Sequence, residues 1–126
     1  MESVTFGGTS IPYILPRTFF GCDALTDVIL PEGISYIGAA AFGDCKGLKS
    51  ILIPKSVTEV RDMAFYRCPL LERTYYAGSE AEWKNVTVAA DNDLLTKSVY
   101  FYSKTFPGYL DSPYWFYNND KPTLWG

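Results

Sequence analysis

The chain has 126 residues, 48% of them hydrophobic and 17% aromatic, and a net charge of −3 at pH 7. That is the length of one domain, with enough apolar residues to bury a core and too many for a disordered chain. The acidic balance and scattered lysines and arginines argue against a nucleic-acid partner, which needs a basic stripe. The absence of histidine removes the commonest general base and the commonest zinc ligand.

Taken in chain order, the start holds no basic segment followed by a long apolar one, and Pro12 and Pro16 interrupt its apolar stretch. No signal peptide is read there. No run of about 18 apolar residues occurs, so no membrane insertion by a helix is expected. The compartment stays open: cytoplasmic for a complete chain, cell surface or secreted for a piece of a longer one. Val4, Thr5 and Phe6 form the first extended segment, with Met1-Glu2-Ser3 ahead of it. An uncovered strand edge is a template for pairing. A homodimer or another partner is therefore expected at that end.

From there an internal repeat dominates. Cys22, Cys45 and Cys68 are spaced 23 residues apart. Each is preceded at three residues by Phe19, Phe42 or Phe65 and followed at three by Leu25, Leu48 or Leu71. The same register carries Val28 and Ile51, Leu30 and Ile53, Pro31 and Pro54, then Ile11, Ile34 and Val57, and Ile14, Ile37 and Val60. The unit reads L-x-x-V/I-x-L/I-P-x-x-I/V-x-x-I/V-x-x-x-A-F-x-x-C. It resembles the BspA-like leucine-rich repeats, with the runs from Leu25 to Cys45 and from Leu48 to Cys68 as the matching stretches. The segment from Tyr75 to Trp83 is similar to those that end such arrays. The resemblance implies a solenoid, and a role in adhesion or in host-protein or cell–cell binding.

The residues support the fold independently. Residues 27–30 and 50–53 are short strands, each ended by a proline that cannot donate to a ladder. Residues 34–37 and 57–60 bring the chain back, and small helical turns around 39–42 and 62–66 close the coil. No unit buries its apolar side alone, so units stack with like residues about 4.8 Å apart. The fold class expected is an α/β solenoid, a short leucine-rich-repeat stack of parallel strands with an aromatic, β-rich C-terminal cap. The coils occupy residues 1–77, with one partial and two full repeats. The capping segment occupies 78–126 of the same domain.

Within 78–126, Ser79 and Glu82 have capping-box spacing, which predicts a helix over 80–85 that packs Trp83 inward. Residues 99–102 alternate like a strand and add a rung. Pro107, Gly108 and Pro113 mark loops. Residues 114–117 and 123–125 flank Asn118-Asn119-Asp120 and read as a hairpin. Its aromatics either seal the open end of the stack or form a platform for sugar or a protein partner.

Chemistry-bearing residues are few. One cysteine per coil reads as buried, reduced thiols acting as small hydrophobes rather than as a metal or disulfide site. Asn85-Val86-Thr87 is a glycosylation sequon by pattern alone. Asp91-Asn92-Asp93 lacks the glycine and distal glutamate of a calcium loop and reads as a polar turn. Gly7-Gly8 and Gly38 belong to turns. No carboxylate pair is placed for acid–base work, so neither an enzyme nor a cofactor or metal is expected.

The function expected is binding of another protein through the outward face of the strands. Alternation points Ile29, Leu52 and Tyr75 outward as an apolar stripe, with Asp27, Ser50 and Arg73 beside it on the same face. An apolar centre with a polar flank is a common interface arrangement. The competing readings are that the stripe only extends cross-strand packing, or is covered by the tail. Two other functions fit the same sequence: a small intracellular inhibitor or adaptor, phage or mobile-element encoded, that blocks a host or defence enzyme; and carbohydrate or cell-wall binding through the C-terminal aromatics.

Overall fold

The computed structural model describes residues 3–5, 13–103, 114–118 and 121–124. The expectations for Phe6, Gly7-Gly8, Ile11, Pro12, Pro107, Gly108, Pro113, Asn119, Asp120 and Trp125 fall outside these. In chain order the strands are β1 (Ser3–Thr5), β2 (Tyr13–Ile14), β3 (Asp27–Ile29), β4 (Tyr36–Ile37), β5 (Ser50–Ile53), β6 (Glu59–Val60) and β7 (Arg73–Tyr76). Then follow helix α1 (Glu80–Trp83), β8 (Thr87–Val88), helix α2 (Asp93–Thr96), β9 (Val99–Tyr102), β10 (Tyr114–Asn118) and β11 (Lys121–Leu124).

The strands form two sheets that run side by side along the stack. One has the order β1-β3-β5-β7-β9-β10-β11, the other β2-β4-β6-β8. Pairing is parallel except between β10 and β11. The 23-residue repeat sets the register of Val28, Ile51 and Thr74 and of Ile14, Ile37 and Val60, and Val4, Val99 and Val88 continue these columns at other spacings. The expected strands at Val28, Ile51 and Thr74 are therefore neighbours, one rung per coil. The return segments pair over two residues each, shorter than the four-residue runs of the sequence pattern.

The pieces that close each coil are hydrogen-bonded turns, and the helices among the described residues are the single-turn α1 and α2. Backbone geometry gives the reason. Arg17, Ala40 and Met63 have φ of 60°, 55° and 59°, and Gly21, Asp44 and Arg67 have 73°, 57° and 60°. Two left-handed corners per coil, again 23 residues apart, prevent a helix from passing through. Each non-glycine corner costs roughly 1–2 kcal/mol, offset by bonds to the next coil. Arg17 N–H donates to the Ala39 carbonyl at 3.0 Å and Phe19 N–H to Ala41 at 2.7 Å; one coil on, Ala40 N–H donates to Asp62 at 3.1 Å and Phe42 N–H to Ala64 at 2.8 Å.

Like residues meet in columns through the core. Phe19, Phe42 and Phe65 stack with centroids 5.1 and 5.2 Å apart. The coils are pressed together where two glycines face a neighbouring backbone: a Cβ on Gly38 would lie 2.7 Å from the Ile14 carbonyl oxygen, and one on Gly47 would collide with that of Asp23. All three cysteines are free. Cys45 and Cys68 are buried and their thiols donate to the carbonyls of Phe19 (3.1 Å) and Phe42 (3.0 Å) in the preceding coil. Hydrogen bonding to the Cys68 sulfur, and then burial, hold the Cys45 thiol well above its ordinary pKa, so it stays neutral. Cys22 is half-buried, which corrects the expectation of three buried thiols. It sits in the first coil with such a turn, and the next coil covers one side of it.

The C-terminal end closes the turn ladder with a side chain. Where earlier coils supply the carbonyls of Ala41 and Ala64, Phe65 N–H donates instead to Asn92 Oδ1 at 3.0 Å. Asn92 Nδ2 donates to Arg61 O at 2.9 Å and Ala89 O at 3.1 Å. Asn92 is buried, and its amide takes the place of the next coil's backbone, beyond the polar turn read from the sequence. The capping box forms as expected: Glu82 N–H donates to Ser79 Oγ and Ser79 N–H to Glu82 Oε1. The helix stops after one turn, with Lys84 at its C-cap, and Trp83 packs on Tyr76 with centroids 5.0 Å apart. Thr74 replaces the aliphatic residue of its column because its hydroxyl donates to the Leu95 carbonyl at the end of α2 (2.7 Å).

Candidate functional site

Alternation along β3, β5 and β7 sets two columns on the outer face of the seven-stranded sheet. Asp27, Ser50 and Arg73 lie in register, as do Ile29, Leu52, Tyr75 and Tyr100. The six expected residues are thus brought together on one face. The polar column is open to solvent: Asp27 and Arg73 are exposed and Ser50 half-buried. The Ser50 and Thr26 hydroxyls both donate to the Asp27 carboxylate. The Arg73 guanidinium donates to Tyr75 Oη at 3.5 Å, which favours its charged form.

The apolar column is not the open stripe that alternation alone suggests. Leu52 is 3% exposed and Tyr75 4%, and Ile29 is half-buried. The cover is the C-terminal hairpin. β10 pairs in parallel with β9 and antiparallel with β11. From β10, Trp115 reaches past β9 and its indole N–H donates to the Tyr76 carbonyl of β7 at 2.8 Å. Its ring meets Tyr75 edge-on at 5.7 Å and Tyr102 at 5.1 Å, and it is completely buried with Leu52 and Tyr75, against Ile29, Ala77 and Leu124. A Leu52→Glu change would place a carboxylate in a closed apolar seat, a destabilising event rather than a surface change. The exposure expected of Leu52 and Tyr75 is corrected accordingly.

Sequence reasoning leaves the tail as a seal for the end of the stack, a binding platform or a cover for the stripe, and does not single out Trp115 as the covering residue. The available signal was alternation in the tail: Trp115 and Tyr117 share one side of β10, with centroids 4.8 Å apart. Tyr117 stays about half exposed. Burial, and then the nearby Glu32 carboxylate, push its phenol above the ordinary tyrosine range. Ala77 also stands where earlier coils have Pro31 and Pro54, and its small side chain packs against the cluster of Leu52, Tyr75 and Trp115.

Most exposed large apolar side chains lie off this face, on the return sheet and turns. They are Tyr13, Leu15, Phe20, Met63, Tyr66 and Leu70. Arg17 sits 5.9 Å over the Phe20 ring and Arg67 5.6 Å over Tyr66. Tyr13 and Tyr36 stack at 5.0 Å, with Arg61 over Tyr36 at 4.9 Å and paired to Glu59. Among the described residues no three acidic or sulfur side chains converge to hold a metal, and no helix is long and apolar enough to cross a membrane.

A family profile described as BspA type leucine-rich-repeat region matches residues 1–90 in six copies. Its end coincides with β8, the last strand of the four-stranded sheet. Among solved structures, the chain is similar to a leucine-rich-repeat protein of T. pallidum. The identity is 26% and the TM-score 0.53, covering 63% of this chain and 42% of that one. A leucine-rich cell surface protein of Faecalibacterium prausnitzii A2-165 is 22% identical with a TM-score of 0.35, over 68% of this chain and 34% of the other. The chain thus spans less than half the length of either protein. No curated protein matches it at a significant level.

Proposed function

This chain belongs to the BspA-type leucine-rich-repeat family, and from that premise we propose that it is a non-catalytic module that binds another protein, in the manner of an adhesion or host-protein-binding repeat. The observation that carries the reading is the open in-register column Asp27, Ser50 and Arg73. Ile29 borders it, and Leu52 and Tyr75 lie beneath the hairpin as the second part of the same surface. Stacked coils present such columns as a continuous surface, and the column offers both charges and hydroxyls to a partner.

The column is tested by Asp27→Lys combined with Arg73→Glu, with capture of cell-surface proteins compared between the variant and the unaltered chain. Both side chains are exposed, so the melting temperature stays within a few degrees. The reading requires at least a tenfold loss of partner affinity, about 1.4 kcal/mol. Equal capture by both proteins rejects the column as the contact.

The carbohydrate reading is weakened by Trp115, whose completely buried ring is closed to stacking on a sugar. At the other end, β1 is the edge strand of its sheet among the described residues. We propose this edge as the point where a second copy or another strand adds. A strictly monomeric mass in light scattering at high concentration, with no partner protection of β1, removes that idea. We also propose that residues 78–126 act as the cap of coils 1–77 within one domain.

A further inference from the structure

We infer that the outer apolar column and the Tyr76 carbonyl form a strand-binding seat, filled in this chain by its own C-terminal hairpin. A protein partner would take the seat by presenting, in place of β10, an extended strand with aromatic residues at alternate positions. The inference rests on the proposed protein-binding role and assigns the kind of partner and the control of the site.

The floor of the seat is made by the repeats, and Tyr102 of β9 forms one side of it. Leu52 and Tyr75 occupy equivalent positions of successive coils, and Ile29 extends the column by one. Its hydrogen-bond acceptor is a main-chain carbonyl reached by an indole N–H. Any strand that places a tryptophan there makes the same bond. The hairpin's ladder to the stack is short: β10 pairs with β9 at Tyr114 and Trp115, whereas β5 and β7 pair from Ser50 to Ile53. The column also outlasts its cover, because Ile29 is half-buried beside the exposed Asp27.

Selectivity follows from what displacement uncovers. Removing β10 exposes Leu52, Tyr75 and Tyr102 to water, so the closed state persists until a competitor restores equivalent burial. A polar or glycine-rich strand cannot. An aromatic-anchored strand can, with main-chain bonds for affinity and the Trp115 pocket for specificity. The bound occupant lowers the apparent affinity of any competitor by the fraction of open molecules.

The test uses the full chain carrying Trp115→Ala and a fluorescein-labelled peptide of residues 112–126 as probe. The peptide should bind the variant saturably and at least tenfold more tightly than it binds the unaltered chain. Adding Leu52→Glu to the variant, or Trp115→Ala to the peptide, should abolish binding. No binding to a Trp115→Ala chain that keeps its circular dichroism, or binding indifferent to Leu52→Glu, overturns the proposal. Should Trp115→Ala not fold, hydrogen exchange on the unaltered chain decides. Amides of Trp115, Phe116 and Tyr117 should exchange through an opening that leaves β5 and β7 protected, and exchange only together with β5 and β7 overturns it. Peptide binding should survive Arg73→Glu. Loss of the trans peptide with Arg73-dependent capture intact therefore rejects the seat and spares the protein-binding role, and the reverse pattern rejects the role alone.

Discussion

Phe42 and Trp115 are both completely buried aromatics, yet what buries them differs in kind. Phe42 lies between Phe19 and Phe65, its own equivalents one coil away on either side. A residue that suits one of these positions suits the next, so this core extends by repetition. Trp115 has no equivalent. Leu52, Tyr75 and Tyr102 enclose it, and one specific carbonyl meets its N–H. The coils draw their stability from neighbours that copy them. The hairpin draws its own from a contact made once and far away in sequence.

Substitutions can break that contrast or sharpen it. Phe42→Ala removes the middle of a three-ring column and should cost about 3–5 kcal/mol, read as a lower urea midpoint for the whole chain. Trp115→Ala should cost about 3 kcal/mol, concentrated in β10 and β11. Hydrogen exchange should accelerate there while the amides of β3 and β5 keep their protection. Uniform acceleration would show that hairpin and coils are one cooperative unit and erase the distinction.

Asn92→Ala leaves the Phe65 N–H and the Arg61 carbonyl without their buried partner, and should cost about 1–3 kcal/mol. Fraying of the last coil in hydrogen exchange, with the first coils unchanged, is the expected signature. Cys45→Ser should cost only about 1 kcal/mol, because the Phe19 carbonyl already stands at 3.1 Å to receive a hydroxyl; a loss of 3 kcal/mol would mean that the site holds sulfur for its size. Thiol labelling of the folded chain should reach Cys22 well before Cys45 or Cys68.

The smallest effect is on pH. Hydrogen bonds from the Ser79 backbone, and then from its side chain, hold the Glu82 carboxyl below its ordinary pKa. A group depressed in the folded state contributes its stability above the unfolded pKa and loses it as pH falls through the lowered folded value. Protection of the Ser79 amide, its rate referred to the intrinsic rate at each pH, should therefore fall on acidification through the carboxylate range while protection of β5 is unaffected. Unchanged Ser79 protection would place the capping box outside the determinants of local order.

The contrast also accounts for what the sequence made legible. The strands at Val28, Ile51 and Thr74, the register and the Phe column could be read because a periodic structure writes the same instruction several times. The left-handed corners could not, since Arg17, Ala40 and Met63 carry no glycine signal and adopt that conformation only because the neighbouring coil bonds them there. The position of Asn92 in a turn was legible; its burial as a substitute for backbone was not. Alternation gave the outward direction of Leu52 and Tyr75 correctly. Alternation within the coils did not name Trp115, which covers them from a strand that joins the sheet two positions later; cover by the tail was open as a reading, its residue was not.

The close approach at Gly38 and Gly47 bears on how such an array can change in length by recombination. The equivalent positions in the following coil are Arg61 and Leu70. A unit cut from that coil and pasted above would drive a side chain into the Ile14 and Asp23 carbonyls, where a single Cβ already has no room. Units of identical length and matching consensus are therefore not interchangeable parts. A duplication tolerated beside the first coil must carry glycine at both positions, so the coil of Gly38 and Gly47 can be copied there and the coil after it cannot.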